Sequence, residues 1–434
     1  MPYTLRPMAA TVFVKPSRLR APVRRHPWIY GDSVARVEGE YANGDAVAVR
    51  APDGKFLAWA FVNDASRLFL RLVSFEREAP PEEALLRARV RDAVSLRQDV
   101  LRLPERADAY RLIHSEGDGL PGLVVDRYGD VLVLSCSALG TRRRLETILD
   151  ELEALLRPRA VLDAGLGEGI ARSEGLEPGG GLLRGALPTE GEGAPLVVTV
   201  DGLRLRVPLG GGQKTGLFLD QRDNVRLVAA LAPGRRVLDA CCYVGTFGLA
   251  CARAGAARAL LFDSSAEAVA EAQANARLNE VAERVEVRKG ALYRELHALD
   301  AAGERFDLIV LDPPKFARVA RDRERARKGY LDANLLAQKL LAPGGLLYTC
   351  SCSHHMDEQT FQELLREAAT RSGADLRLLD QRGAGPDHPS DLHCPEGRYL
   401  KGFLLQRRGS AAVPYDRGGA AVPDDRGGPP REDP

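Results

Sequence analysis

Short apolar runs separated by turns fill residues 9–75. ARVEGEY, DAVAVRAPDG, KFLAWAFV and RLFLRLVSF read as strands, and Pro52-Asp53-Gly54 reads as a hairpin-type turn. The pattern predicts a small β-barrel. Pro80-Pro81 marks a boundary, and from Pro81 a helical period runs through EEALLRARVRDAVSLRQDVLRL. Strand-like runs follow at Leu123–Asp126 and Val131–Leu134, then a helix over RRRLETILDELEALL, which makes this an α+β segment. Gly179–Gly181 and Glu190–Glu192 read as a loose loop and hairpin region. From about residue 196 the rhythm changes. VVTVDG, RRVLDA, ARALLFDSS, VEVRKG, FDLIVLDPPKF and GGLLYTCSCS read as strands, with VRLVAALA, AEAVAEAQANARLNE and FQELLREAATRSG as helices among them. Strands alternating with helices predict a doubly wound parallel sheet. The division expected is a barrel over 1–78, a middle domain over 79–195, an α/β domain over 196–408 and a tail over 409–434. The tail carries two copies of one motif, at Val413 and Val422, and its Gly, Pro and charge content predicts disorder.

Composition narrows the class. The chain has 434 residues, 45% hydrophobic and 28% charged, as a soluble protein of two or three domains would. No apolar run approaches the roughly 18 residues of a membrane span. The N-terminus lacks the apolar core of a signal peptide, so the expected location is the cytoplasm, with no membrane partner. Seven cysteines are an odd number, and four crowd into Cys241/Cys242 and Cys350/Cys352, which favours reduced thiols over a disulfide framework. Cys350, Cys352, His354 and His355 are spaced too tightly for zinc, so no metal is expected. The net charge of +1 does not mark a nucleic-acid binder. Local charge says more: residues 1–31 carry Arg24 and Arg25 among six cations and no acid, and 315–328 carries Lys315, Arg318, Arg321 and Arg325 among seven cations against Asp322 and Glu324. Such patches contact phosphates or simply line solvated faces.

Three strand ends carry the candidate chemistry. Val237-Leu-Asp239-Ala-Cys-Cys-Tyr243-Val-Gly245-Thr-Phe247-Gly248 places a glycine turn after a strand and resembles motif I of class I methyltransferases. Asp263 ends the next strand, where a carboxylate can accept bonds from two ribose hydroxyls. Asp312-Pro313-Pro314-Lys315 ends another, with Asp312 biased to an extended backbone because it precedes proline. Thr349-Cys350-Ser351-Cys352-Ser353 ends the last. A thiolate adding to carbon 6 of cytosine would activate carbon 5 for methylation, and Asp312 could serve ring nitrogen 3. Alternation puts Cys350 and Cys352 on one side, so periodicity does not choose between them. The other five cysteines fit ordinary buried packing.

With these residues in place, the chain resembles the PUA-domain, S-adenosylmethionine-dependent 23S ribosomal RNA (cytosine-C5) methyltransferases of the bacterial large subunit, over about residues 12–406. The resemblance is carried by Arg25-His-Pro-Trp-Ile-Tyr30, Glu116–Tyr128, Lys214-Thr-Gly-Leu-Phe218-Leu-Asp220-Gln221-Arg222-Asp-Asn224, Asp312–Phe316, Ser351-Cys352-Ser353 and Pro395–Phe403. It implies a class I, Rossmann-like methyltransferase domain behind a PUA-like barrel and an α+β middle domain. It implies S-adenosylmethionine held by Phe218, Asp220, Gln221, Arg222, Asp239, Tyr243, Gly245, Phe247, Asp263, Ser264 and Asp312. It also implies 23S RNA as partner, met by Arg24, Arg25, Lys315, Arg318, Arg321 and Arg325, with a homodimer left open. The family's reactive cysteine stands between two serines, which selects Cys352. Two departures stand out: Gly290 and Ala291 replace the usual adenine-binding acid, and motif I contains the run Ala240-Cys241-Cys242. Two other readings compete. One is methyl transfer to another base position, such as a guanine nitrogen, which needs no thiol. The other is a non-catalytic RNA-binding assembly factor.

Overall fold

The computed structural model describes residues 10–187, 196–207, 216–316, 323–353 and 356–409. Lys214, Thr215, Arg318, Arg321, His354, His355, the hairpin expected at Glu190–Glu192 and all but the first residue of the tail lie outside them.

The N-terminal unit contains β1 (Thr11–Val14), α1 (Arg20–Val23), β2 (Trp28–Ile29), β3 (Val34–Glu38), β4 (Ala46–Arg50), β5 (Phe56–Val62) and β6 (Leu70–Ser74). The strands form one sheet in the order β2-β6-β5-β4-β1-β3. The apolar pattern located β3 to β6 and missed β1 and β2, which are too short to show a period. No ladder among the described residues joins β2 to β3. Even so, Ile29 at one edge and Val34 and Val37 at the other pack on the same core of Val12, Val47, Ala60 and Leu72. The sheet therefore curls around a single apolar interior.

The middle unit contains α2 (Glu83–Ser95), β7 (Ala109–His114), β8 (Leu123–Tyr128), β9 (Val131–Cys136), α3 (Leu139–Arg142), α4 (Leu145–Leu156), β10 (Ala160–Asp163), α5 (Glu168–Glu174) and β11 (Gly181–Gly185). The sheet order is β11-β10-β9-β8-β7. Two expectations change here. The helix expected over 142–156 is split between α3 and α4, and Gly181 opens strand β11 rather than lying in a loop. Alternation along β9 serves two cores. Leu132 and Leu134 pack with Leu86, Val90, Ile148 and Leu152 of α2 and α4. Val131 and Val133 face the other way, into a cluster shared with the C-terminal unit.

That unit opens with a hairpin, β12 (Val197–Val200) and β13 (Leu203–Arg206). It continues through α6 (Arg222–Ala230), β14 (Arg236–Ala240), α7 (Thr246–Arg253), β15 (Arg258–Asp263), α8 (Ala266–Leu278), β16 (Val285–Lys289), α9 (Leu292–Ala301) and β17 (Phe306–Leu311). It ends with α10 (Arg323–Leu340), β18 (Leu341–Ser351), α11 (Glu358–Ser372), β19 (Leu376–Arg382) and β20 (Lys401–Arg407). The order is β16-β15-β14-β17-β18-β20-β19. The expected parallel sheet holds from β16 to β18 only. β20 runs antiparallel between β18 and β19, because the loop after β19 brings the chain straight back beside it. Strand order reverses at β14, so its carboxyl end and that of β17 frame the crevice where open α/β sheets bind ligands. Among the described residues no helix is long and apolar enough to cross a membrane.

Candidate active site

The turn after β14 is the tightest part of the site. Cys241 (φ 64°), Tyr243 (φ 49°) and Gly245 (φ 87°) are all left-handed. Only Gly245 adopts that conformation without side-chain strain. A Cβ on Gly248, in the first turn of α7, would lie 2.6 Å from the Leu261 side chain, so glycine there lets α7 close on β15. Asp239 is buried at the end of β14 and accepts from the Gly248 N–H at 2.8 Å. Burial pushes its carboxyl up to about 7, against the pull of that N–H, and Asp312 and Asp263 push the same way. Asp263 accepts from Tyr243 N at 2.9 Å and from Ser265 N at 2.9 Å, which fixes its carboxylate at the end of β15.

The segment ahead of α6 is laid over this turn by the middle unit. Leu217 N donates to the Tyr128 hydroxyl at 2.9 Å, and the Tyr243 hydroxyl donates to Gly216 O at 3.1 Å. Gln221 then reaches inward. Its Nε2 donates to Asp312 Oδ2 at 3.1 Å and to Cys350 Sγ at 3.2 Å, while its Oε1 accepts from Asn224 and Tyr348.

These elements enclose a cavity of about 290 Å³. Phe218, Asp220, Gln221, Asp239, Tyr243, Phe247, Asp263, Ser264, Asp312 and Cys352 all line it, together with Gly290, Leu292, Phe316 and Leu400. Four carboxylates face it, and among the described residues no Lys, Arg or His does. Such a wall suits a cationic sulfonium ligand and repels a pyrophosphate. S-Adenosylmethionine therefore fits. Asp239 and Asp263 would meet its polar groups, and Phe218, Tyr243, Phe247 and Leu292 its apolar faces. Gly290 and Leu292 line the side where the usual acid is missing, leaving backbone and apolar contact for the adenine.

Two expected cofactor contacts are placed elsewhere. Arg222 is buried and turned away from the cavity, with Nη1 3.2 Å from Asp387 Oδ2 and Nη2 3.3 Å from Asp223 Oδ2. Two buried carboxylates, Asp387 and Asp223, claim its two Nη groups, and the side chain does not line the cavity. Gly245 shapes the turn without lining the cavity; a Cβ there would press on Leu249 and Ala272.

The two cysteines differ in surroundings. Cys350 has no exposed surface and donates to Asp312 Oδ1 at 2.9 Å. Burial, reinforced by Asp312, raises its thiol well above the ordinary value. Cys352 lies just past the end of β18, partly exposed, on the cavity wall. Beside it is a group the sequence reading passed over. The Lys401 ammonium is buried and donates to Ser353 O at 2.6 Å and to Tyr399 O at 2.7 Å. Its only advance signal was its place in the Pro395–Phe403 stretch.

Of the expected RNA contacts, Arg24 and Arg25 are exposed on the N-terminal unit, with Arg25 5.5 Å from the Phe75 ring centroid. Lys315 and Arg325 line a surface hollow with Lys328, Lys339 and Asp332. Phe316 lines both this hollow and the cofactor cavity, so the basic rim opens beside the site. His26, Cys394 and Glu396 also cluster within 4.8 Å of one another. His26 Nδ1 accepts from Trp28 N at 3.2 Å, which puts the ring proton on Nε2, facing Glu396. That tautomer offers a metal no lone pair at Nε2.

Comparison with known proteins agrees with this geometry. Residues 190–404 match the model of an S-adenosylmethionine-dependent methyltransferase family, and residues 12–75 match a PUA-like domain. The chain is 36% identical over 401 residues to ribosomal RNA large subunit methyltransferase I of Shewanella denitrificans, covering 92% of this chain and 100% of that one. The protein of the same name from Aeromonas hydrophila is 35% identical over 403 residues, with the same coverage. In fold, the chain is similar to a methyltransferase complexed with SAH, with TM-score 0.78, 18% identity and coverage of 91% and 99% of the two chains. A SAM-dependent methyltransferase from Streptococcus mutans gives TM-score 0.76 at 17% identity over the same shares.

Proposed function

This chain belongs to the family of the ribosomal RNA large subunit methyltransferase I proteins, and from that premise we propose that it methylates carbon 5 of a cytosine in 23S ribosomal RNA, in the cytoplasm, through a covalent adduct of Cys352. One observation carries the reading. Cys352 and Asp312 line one acidic cavity with the residues suited to the cofactor, whereas Cys350 is sealed behind Asp312.

S-Adenosylmethionine, when bound, supplies an electrophilic methyl group. The chain does the rest. Cys352 Sγ forms a bond to carbon 6 of the cytosine, which raises electron density at carbon 5. Asp312, positioned by Gln221 and Cys350, gives a proton to ring nitrogen 3 from its carboxylic acid form as the carbon 6 bond forms and takes it back as that bond breaks. After carbon 5 gains its methyl, a base removes the carbon 5 proton, the C6–Sγ bond breaks, and the thiolate is returned. A cytosine within a helix cannot reach Cys352, so the nucleotide must leave its stack. Arg24 and Arg25 on the N-terminal unit and the basic rim at Lys315 and Arg325 supply phosphate contacts. Arg318 and Arg321 complete the proposed RNA set.

RNA containing 5-fluorocytidine tests the reading, because fluorine at carbon 5 cannot leave as a proton and the adduct persists. A stable complex linked through Cys352, absent in Cys352→Ala, is expected. Undiminished methylation by Cys352→Ala would sink the proposal and favour transfer to a base nitrogen. Failure to bind S-adenosylmethionine in calorimetry would favour a non-catalytic assembly factor.

A further inference from the structure

Beside the cofactor cavity lies a second cleft of about 340 Å³, between the middle sheet and the methyltransferase sheet. Arg111, His114, Ser135, Ile170, His388 and Tyr399 line it. Phe218 and Asp220 form a wall common to both cavities, while Cys352 and Asp312 belong to the first alone. A ligand in the second cleft therefore sits next to the reacting atoms and not on them. The volume falls within the roughly 300–1,000 Å³ range of small-ligand pockets.

The cleft is rich in rings, and its charged lining groups are Arg111, Asp220 and Lys315. The His114 and His388 centroids are 5.1 Å apart, those of His114 and Tyr399 6.4 Å apart, and Phe218 is exposed at the shared wall. Arg111 is paired with Asp126. Its Nη1 donates to His114 Nδ1 at 2.8 Å; a guanidinium has no acceptor, so the proton of His114 resides on Nε2. Burial, then the Arg111 charge, hold this ring neutral, down to about 2. His388 Nδ1 lies 3.1 Å from Asp387 Oδ1 and is committed to that carboxylate. His388 lines the cleft, and its Nε2 is buried with no hydrogen-bond partner. Leaving such a group unpaired costs about 1–3 kcal/mol. His114 and His388 together bring two ring nitrogens to the cleft, that of His114 a donor.

We propose that this cleft holds one nucleobase of the RNA strand adjacent to the nucleotide being methylated, stacked among the rings and read along its polar edge by His114 and His388. The inference rests on the RNA reading above. A nucleobase suits the cleft better than a phosphate does. The imidazole of His114 is neutral, the guanidinium is already paired, and the exposed ammonium of Lys315 sits on the lining as the place for the backbone.

Ultraviolet crosslinking of unmodified large-subunit RNA to the full chain, with peptide mapping by mass spectrometry, tests this. Crosslinks are expected on the peptides carrying His114, Phe218 or Tyr399. Ile170→Trp and Ser135→Phe fill the cleft from the middle unit, and neither residue lines the cofactor cavity. Each should abolish those crosslinks and weaken RNA binding about tenfold, with the S-adenosylmethionine Kd unchanged. RNA that binds and crosslinks only elsewhere, or equally in the filled variants, overturns the subsite and leaves the methyltransferase reading standing. Absence of any RNA binding overturns both.

Discussion

The thiol of Cys350 donates to Asp312 Oδ1 at 2.9 Å, and this bond separates two cysteines that strand alternation treats alike. A thiol pushed well above its ordinary value stays protonated, so it acts as a donor and not a nucleophile. Cys350→Ser keeps a donor and should keep most of the single-turnover rate. Cys350→Ala should lower that rate about tenfold, the equivalent of one hydrogen bond to a charged group. Loss of all turnover in Cys350→Ala, with Cys352→Ala active, would reverse the assignment.

Asp239 titrates near the working pH, because burial pushes its carboxyl up to about 7. It is neutral below that value and a carboxylate above it, and a cationic ligand prefers the carboxylate. The S-adenosylmethionine Kd should fall as pH rises from about 6 to 8, and Asp239→Asn should flatten the trend. Calorimetry across that range reads it directly. A flat profile in the unaltered protein excludes the mechanism.

Lys401 places a buried ammonium beside the proposed nucleophile. Burial pulls it down to about 8, and the charge of Cys352 opposes the fall. A neighbouring cation favours the thiolate. Lys401→Met should slow iodoacetamide alkylation of Cys352 about tenfold at neutral pH, with Lys401→Arg restoring it. Peptide mass spectrometry locates the label, and equal rates in all three proteins would remove Lys401 from the chemistry.

His114 carries a pH-dependent stability term. An unfolded histidine takes up a proton near 6.5, whereas the folded ring is held neutral to about 2, chiefly by burial. Between those values the unfolded state binds the extra proton. Stability is therefore full above about 6.5 and is lost as pH falls below it, by at most about 1.4 kcal/mol per pH unit. Urea unfolding at pH 7 and 5 should show the loss, and His114→Gln should reduce it.

Arg222→Met should destabilise the fold by about 3–5 kcal/mol, since it strips the buried Asp387 of a partner. The folded fraction should still bind S-adenosylmethionine with unchanged Kd. A weakened Kd at full folding would return Arg222 to the cofactor.

The strand-end motifs were legible because each joins a local period to local chemistry: Asp239 before its turn, Asp263 and Asp312-Pro-Pro, whereas the preference for Cys352 over Cys350 came from the family resemblance alone. The partner of Arg222 was not, because Asp387 lies 165 residues away and no period links them. The same holds for the cleft, where His114 and His388 meet only after two sheets pack together. β20 escaped notice because its apolar run is short and overlaps a stretch, Pro395–Phe403, that was read only for its family resemblance. Motif I was placed correctly, but its turn uses Cys241 and Tyr243 in backbone positions that favour glycine.

Asp387 also sets an order of events. Its carbonyl accepts from Arg97 at 2.7 Å and its carboxylate from the Arg111 N–H at 3.1 Å, across 290 and 276 residues. A translating ribosome adding about 5–20 residues per second needs roughly 15–60 s to bring Asp387 out after those arginines. For that interval the nascent middle sheet has a buried arginine site still waiting for its last acceptor. Its native state becomes available only when synthesis is almost finished, so an error in the final loop is felt in the first third of the chain.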